Sequence, residues 1–301
     1  MGERSPHEAF ATLGDESRIE IMRAIAEAQA TAATTEPAQV ELAFSEIYDR
    51  VDVDGTSKLS YHLGELTGTF LRKGEEGYSF THAGEQIVRI VLSGNYEQPP
   101  AYGPTETDGR CPLCDSQSLE AQLNHQYFTV RCRECERPVA GHPVTPAQIR
   151  SFDESTVPDV VARKMAAQYR QIRQGICIGC SGRLSTELVG KEDLPPESRY
   201  QFLVRDRCQH CLRRYNSPLV YSVAYHPASV AFHWEQGIDM TATGMWELAQ
   251  VAEEHDWHAE RVCEDPEQFR VRLRYDDNAL HLSLDSEAAV TRTERVRGRQ
   301  L

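Results

Sequence analysis

The sequence predicts a multidomain α+β protein, because three kinds of pattern follow one another along it. Residues 1–95 show helical periodicity broken by short turns, residues 110–217 carry four Cys-x-x-Cys pairs, and residues 218–301 mix strand and helix patterns. Between the first two lies a Pro- and Gly-rich stretch, residues 96–109, read as a linker. With 301 residues, 40% apolar and 26% charged, the chain is long enough for several cores and globular in composition. No apolar run approaches the roughly 18 residues that span a bilayer. The opening Met-Gly-Glu-Arg-Ser-Pro-His-Glu has no secretory apolar region, so a cytoplasmic location without membrane contact is expected.

Charge bears directly on partners. The formal net charge is −14, and residues 1–95 alone hold 8 Lys+Arg against 16 Asp+Glu. The basic residues are lopsided, with 28 Arg and only 4 Lys (Lys58, Lys73, Lys164, Lys191). Dense carboxylates with scarce lysine suit a protein bathed in concentrated salt, where screening weakens their mutual repulsion. The competing reading is an acidic protein that binds other proteins.

In residues 1–95, Asp15 can cap a helix running to about Ala28, with Ile19, Met22 and Ile25 on its buried face. A short helix over residues 44–51 follows, then the turn Asp52-Val53-Asp54-Gly55, then a helix over residues 57–66 that Thr56 can cap. On this second helix Leu59, Leu63 and Leu66 form an inward stripe, while Ser57, Lys58, Tyr61 and Glu65 point away. Helix, tight turn and second helix form the helix-turn-helix design, whose second helix lays its first side chains on base edges. Phe70–Lys73 and Tyr78–Thr81 flank Gly74-Glu75-Glu76-Gly77 as a hairpin wing. The last helix, residues 81–93, carries more apolar surface (Ile87, Val88, Ile90, Val91, Leu92) than one core contact needs, which suggests a dimer seam.

Phe10-Ala11-Thr12-Leu13-Gly14-Asp15-Glu16-Ser17-Arg18-Ile19-Glu20-Ile21-Met22 resembles the opening of the ArsR-type winged helix-turn-helix repressors. Ser57-Lys58-Leu59-Ser60-Tyr61-His62-Leu63 resembles their recognition helix, in the form common in archaeal members. The resemblance covers about 90 residues. It implies a homodimer on a palindromic site in double-stranded DNA, with the recognition helices in successive major grooves. The expected readout residues are Ser57, Lys58, Tyr61 and His62, with Arg72 and Lys73 on phosphates; Glu75 and Glu76 would repel phosphate. Many ArsR-type proteins sense metals through cysteines on that helix, but the first cysteine here is Cys111, so metal sensing is not expected in this part. His62 and His82 are read as structural histidines in preference to ligands. With the charge pattern, the whole resembles a regulator of salt-loving archaea.

Eight of nine cysteines form four pairs with metal-ligand spacing: Cys111/Cys114, Cys132/Cys135, Cys177/Cys180 and Cys208/Cys211. Each successive two pairs bracket a strand-like segment, as in a zinc ribbon, whose two knuckles close a tetrahedral four-cysteine site. Two structural Zn2+ sites joined by a helix (residues 159–174) are therefore expected, with ligands grouped by proximity; cross-pairing between the units stays open. The two units have the look of distant copies of one design. A closed four-cysteine site has no open coordination position, so no enzyme activity is expected. His258-Ala259-Glu260 imitates a deaminase signature but lacks its downstream Pro-Cys-x-x-Cys, and is read as chance. Cys263 is read as a buried apolar residue. Arg205, Arg207, Arg213 and Arg214 offer a second nucleic-acid contact, against a solvated face or a protein-binding surface; the same holds for Arg292, Arg295, Arg297 and Arg299.

Residues 218–301 carry patterns for a strand over 220–225, a helix over 244–254 and strands over 269–275 and 279–284. Trp234, Trp246 and Trp257 are read as core. An effector or protein partner for this small α+β module fits a regulator, though no motif names one. The sequence thus points to a DNA-binding transcription regulator, with a zinc-ribbon adaptor between proteins of the transcription machinery as the alternative.

Overall fold

The computed structural model describes residues 5–32, 40–194 and 198–297. Arg299 therefore lies outside the described residues. The fold is mixed α+β, with nine helices and four small antiparallel sheets among those residues. Residues up to Gln98, with Thr145–Ala147, form one compact unit, and Pro99–Val144 with Gln148 onward form the second.

In the first unit, α1 (Pro6–Thr12) leads into α2 (Glu16–Thr31), whose N-terminus is capped by Asp15 accepting the Arg18 N–H. Next come α3 (Phe44–Tyr48), shorter than the expected 44–51, and α4 (Thr56–Leu66). Gly55, not Thr56, stands at the cap of α4, with φ of 86° and no side-chain cap. A side chain is strained at that φ, so glycine fits. Strands β1 (Leu71–Lys73) and β2 (Tyr78–Phe80) make the expected hairpin, with Leu42 bonded to Tyr78 beside it. Helix α5 (His82–Leu92) follows, capped by Thr81. Ile21, Met22, Ile25, Ile47, Leu59, Leu63, Leu66 and Leu71 build one apolar core.

The second unit repeats one plan twice. The first copy is knuckle, β4 (Leu119–Asn124), β5 (Tyr127–Cys132), knuckle, β6 (Pro138–Pro143), with the short β3 (Thr105–Thr107) added beside β4. The second is knuckle, β7 (Leu184–Gly190), β8 (Phe202–Cys208), knuckle, β9 (Arg214–Pro218). In both, a leucine faces the third cysteine across the strands, as Leu119↔Cys132 and Leu184↔Cys208. After α6 (Pro146–Arg150), helix α7 (Val157–Arg173) ties the copies together. Its Val157, Val161, Ala162 and Met165 join the core of the first ribbon, and its Ala166, Tyr169 and Ile172 join that of the second. This follows from a stripe that keeps helical spacing over nearly five turns.

The C-terminal part differs from expectation in several ways. Residues 220–225 are a short 3-10 turn (Leu219–Tyr221) and further turns, not a strand. A continuous buried run, here Tyr221 to Tyr225, looks the same to periodicity in either form, and Pro218 and Pro227 bracket it. Helix α8 (Pro227–Trp234) follows, and α9 covers only Leu248–Glu254, preceded by a turn over 245–247 in which the Glu247 N–H donates to the Gly244 carbonyl (2.9 Å). A four-stranded meander, β10 (His258–Glu264), β11 (Glu267–Tyr275), β12 (Asn278–Leu284) and β13 (Val290–Val296), closes the unit. Trp246 and Trp257 are core, but Trp234 is 65% exposed. Cys263 is only half-buried, on the sheet-edge strand β10.

This meander is not a separate module. Phe269, Val271, Leu273, Leu280 and Leu282 share one core with Cys177, Leu184, Val204 and Cys208. A three-stranded ribbon cannot bury enough apolar area alone, so it borrows a neighbour's. The stretch 96–109 likewise does more than link, since Tyr102 is buried and residues 105–107 pair with β4. Among the described residues, no helix is long and apolar enough to cross a membrane.

Candidate metal centres and nucleic-acid interface

The eight paired cysteines gather into two groups, Cys111/Cys114/Cys132/Cys135 and Cys177/Cys180/Cys208/Cys211, with the sulfurs of each within 4.8 Å of one another. No ligand pair crosses between the groups, which closes the alternative of cross-pairing. Sulfur separations are 3.7 Å (Cys111–Cys135), 3.6 Å (Cys114–Cys132), 3.6 Å (Cys177–Cys211) and 3.4 Å (Cys180–Cys208). A tetrahedral ion with bonds near 2.3 Å has sulfur–sulfur edges of about 3.8 Å, whereas a disulfide needs about 2.05 Å. The spacing is that of a metal tetrahedron.

All four knuckles have one backbone design. The first cysteine's N–H donates to the carbonyl five residues on: Cys111 to Ser116, Cys132 to Arg137, Cys177 to Gly182 and Cys208 to Arg213. The residue after each second cysteine is left-handed, with φ of 63° at Asp115, 56° at Glu136, 58° at Ser181 and 62° at Leu212. None is glycine, so each knuckle stores about 1–3 kcal/mol of backbone strain that something else must offset. The loop also aims N–H groups at sulfur: Leu113 to Cys111 (3.4 Å), Gly179 to Cys177 (3.3 Å), His210 and Cys211 to Cys208 (3.4 Å each). Such donors stabilise a thiolate, the form that binds metal. Burial raises the Cys177 thiol, but the Tyr215 hydroxyl at 3.3 Å, the N–H groups of Gly179 and Cys180 and the Cys211 thiol outweigh it and bring it down to about 6. Burial likewise opposes Cys132, which the N–H groups of Cys135 and Glu134, with its neighbouring thiols, lower to about 7. The residues fit a metal ion that four sulfurs enclose.

Helix α4 is the second candidate site. Leu59, Leu63 and Leu66 are fully buried, whereas Ser57, Lys58 and Tyr61 are exposed, Tyr61 at 59%. His62 departs from the expected contact set. It is 4% exposed and turned inward, where its Nδ1 accepts from Arg18 Nε at 3.4 Å. One residue on from Tyr61 is 100° around the helix, and that rotation carries His62 off the outer face. The buried Arg18 also donates to the Thr12 carbonyl (2.9 Å), reaches Glu65 (3.9 Å) and lies against the Tyr61 ring (5.7 Å). Sequence reasoning missed this network, which locks the start of α2 to α4. His82 is exposed.

On the hairpin, Arg72 and Lys73 are exposed, Arg72 bonded to Ser79 Oγ (2.8 Å) and Lys73 over the Tyr78 ring (5.7 Å). The hairpin tip is pinned by the Glu41 carboxylate, which accepts from the Glu76 and Gly77 N–H groups at 2.9 and 3.1 Å. With Glu75 and Glu76, that tip is anionic.

Elsewhere, Arg295 pairs with Glu235 through two contacts (2.7 and 2.9 Å), Arg292 lies 3.4 Å from Glu294, and Arg297 is exposed. Glu260 of the deaminase-like triplet faces Arg270 at 3.5 Å. A cavity of about 110 Å3 lies between α7 and the C-terminal part, lined by Tyr169, Arg173, Tyr225, His226 and Val290. At about 30 Å3 per water it has room for a few waters or a small ion and not a drug-sized effector.

No curated protein and no solved structure matches the chain. Residues 6–91 match the family model described as Domain of unknown function (DUF7347). The longer match, over residues 108–290, takes in both cysteine clusters, the joining helix and most of the C-terminal sheet, so the chain belongs to the family described as Domain of unknown function (DUF7351).

Proposed function

We propose that this protein is a sequence-specific, dimeric DNA-binding transcription regulator, whose first unit is an ArsR-type winged helix-turn-helix and whose second is built on two structural zinc ions. One observation carries the reading: α4 presents Ser57, Lys58 and Tyr61 to solvent while its leucines are sealed inside. These three side chains are the base readers, and Arg72 and Lys73 contact flanking phosphates. Ile90 and Leu92 of α5, exposed at 43% and 44%, supply the seam to a second copy. Zinc is the ion of choice because four thiolates at tetrahedral spacing suit Zn2+ or an iron site, and a closed shell of four sulfurs leaves zinc a structural role. Metal analysis is expected to return two zinc ions per chain.

The adaptor reading has its own support in the anionic hairpin tip of Glu41, Glu75 and Glu76, which turns phosphate away. Footprinting on DNA upstream of the protein's own coding region separates the two. A regulator protects a discrete stretch that Lys58→Ala with Tyr61→Ala exposes again, and an adaptor protects nothing.

A further inference from the structure

The chain pairs its arginines widely. Arg110 meets Glu253 (3.2 Å), Arg131 meets Glu120 (3.6 Å), Arg133 meets Glu106 (2.7 Å), Arg272 meets Asp256 (2.9 Å) and Arg295 meets Glu235 (2.7 Å). With 46 acidic residues against 32 basic ones, partners are plentiful. In the second ribbon, arginines without such a partner gather side by side. Arg205, Arg207 and Arg214 are exposed, and none has a carboxylate at ion-pair distance among the described residues.

Strand register puts these three on one face. Arg207 stands directly opposite Arg214, in a row begun by Ser185, and Arg205 stands between Glu187 and Asn216 in the next row. Like charges opposite one another on a sheet are destabilising. The acid between them in sequence gives no relief, because alternation turns Asp206 to the inner face, where it is 2% exposed and held by Arg173 (2.8 Å) and Thr186 (2.8 Å). The first ribbon serves as an internal control. At its position equivalent to Arg207 stands Arg131, and opposite it is Glu120; in the second ribbon the same place holds Ser185. Arg183 and Arg213, both exposed and without a carboxylate partner among the described residues, extend the positive surface to the knuckles.

We propose that the outer face of β7-β8-β9 grips the phosphate backbone of duplex nucleic acid, as a second contact surface that does not depend on α4. Charge complementarity demands a polyanion. Guanidinium forks match phosphate oxygens in pairs, which suits a face built with arginine alone. A single strand is the poorer occupant, since it wants exposed aromatic rings to stack on, and Tyr215 turns instead toward the Cys177 sulfur. An acidic protein is poorer too, because Ser185, Glu187 and Asn216 offer no apolar anchor at the centre.

The test uses the full metal-loaded chain and a fluorescent random-sequence duplex, with affinity measured against KCl concentration. Replacing Arg205, Arg207 and Arg214 by Gln together is expected to flatten the log–log salt slope by about 2.7, near 0.9 for each lost phosphate contact, and so to weaken binding on the order of a thousandfold at about 0.05 M KCl, with the gap closing as salt rises. The matching triple Lys variant keeps the charge and is expected to retain most of the slope. Repeated in a Lys58→Ala, Tyr61→Ala background, the three Gln substitutions are expected to flatten the slope by the same amount, so failure of the α4 reading and failure of this one give different results. The proposal is overturned if the wild type does not bind the random duplex or if the Gln variant keeps the wild-type slope. Loss of binding in the Lys variant as deep as in the Gln variant, or preference for polyglutamate or single strands over duplex, overturns it equally.

Discussion

Stripping metal from the second cluster is expected to melt the C-terminal sheet along with the ribbon. Cys177 and Cys208 are fully buried and belong to the same core as Val204, Trp257, Phe269 and Leu282. A structural zinc site contributes on the order of 10 kcal/mol of folding free energy, comparable to the whole stability of a typical domain. Four strained left-handed residues and eight clustered thiols have no other visible compensation. Three tryptophans make the outcome readable with fluorine-labelled protein: Trp246 reports the first ribbon's core, Trp257 the second's, and exposed Trp234 serves as the reference. Cys177→Ser with Cys208→Ser is expected to move the Trp257 signal to the exposed position, and Cys111→Ser with Cys132→Ser the Trp246 signal. Cys263→Ser, outside both clusters, should move neither. Intact tryptophan signals in metal-free protein would mean that the ions do not hold the fold together.

Arg173→Ala is expected to cost about 3–5 kcal/mol, because it leaves the buried Asp206 carboxylate without its counter-charge. Thr186 alone stays bonded to it. Burial already holds Asp206 above its ordinary value, with Arg173 pulling the other way. Removing Arg173 raises it further. Between the unfolded and folded titrations the folded variant carries a proton that the unfolded chain has lost, so its stability falls as pH rises through that window. The deficit against wild type should therefore shrink as pH drops toward the ordinary carboxylate range, which chemical denaturation at several pH values can follow. Changing both partners to apolar residues, Arg173→Met with Asp206→Leu, should recover most of the loss. A deficit that stays constant with pH would mean the ion pair is not its source.

Features set by neighbours in the chain are legible in the sequence itself. The two-residue gap between cysteines fixes a knuckle by local geometry, and Leu59, Leu63 and Leu66 declare the inner face of α4 by spacing alone. What depends on distant partners is not legible there. Asp206 and Arg173 lie 33 residues apart, and nothing local marks either as half of a buried pair. The inward turn of His62 is set by Arg18, 44 residues away. Strand β13 carries no alternating pattern because nearly every side chain on it is exposed, and 220–225 misleads because the unbroken burial of 221–225 has no period. The arginines of the second ribbon are visible in the sequence as a cluster. Their lack of partners emerges only once strand register sets Ser185, and not a glutamate, across from Arg207.

Whether the outer face of α4 reads DNA sequence is decided by selecting bound duplexes from a random library with the intact protein. Convergence is expected on a two-fold symmetric motif with half-sites about one helical turn, or a multiple of it, apart. That motif should vanish in the Lys58→Ala, Tyr61→Ala variant. A library that stays random after repeated rounds, or a motif that survives that double substitution unchanged, would contradict a reading role for α4.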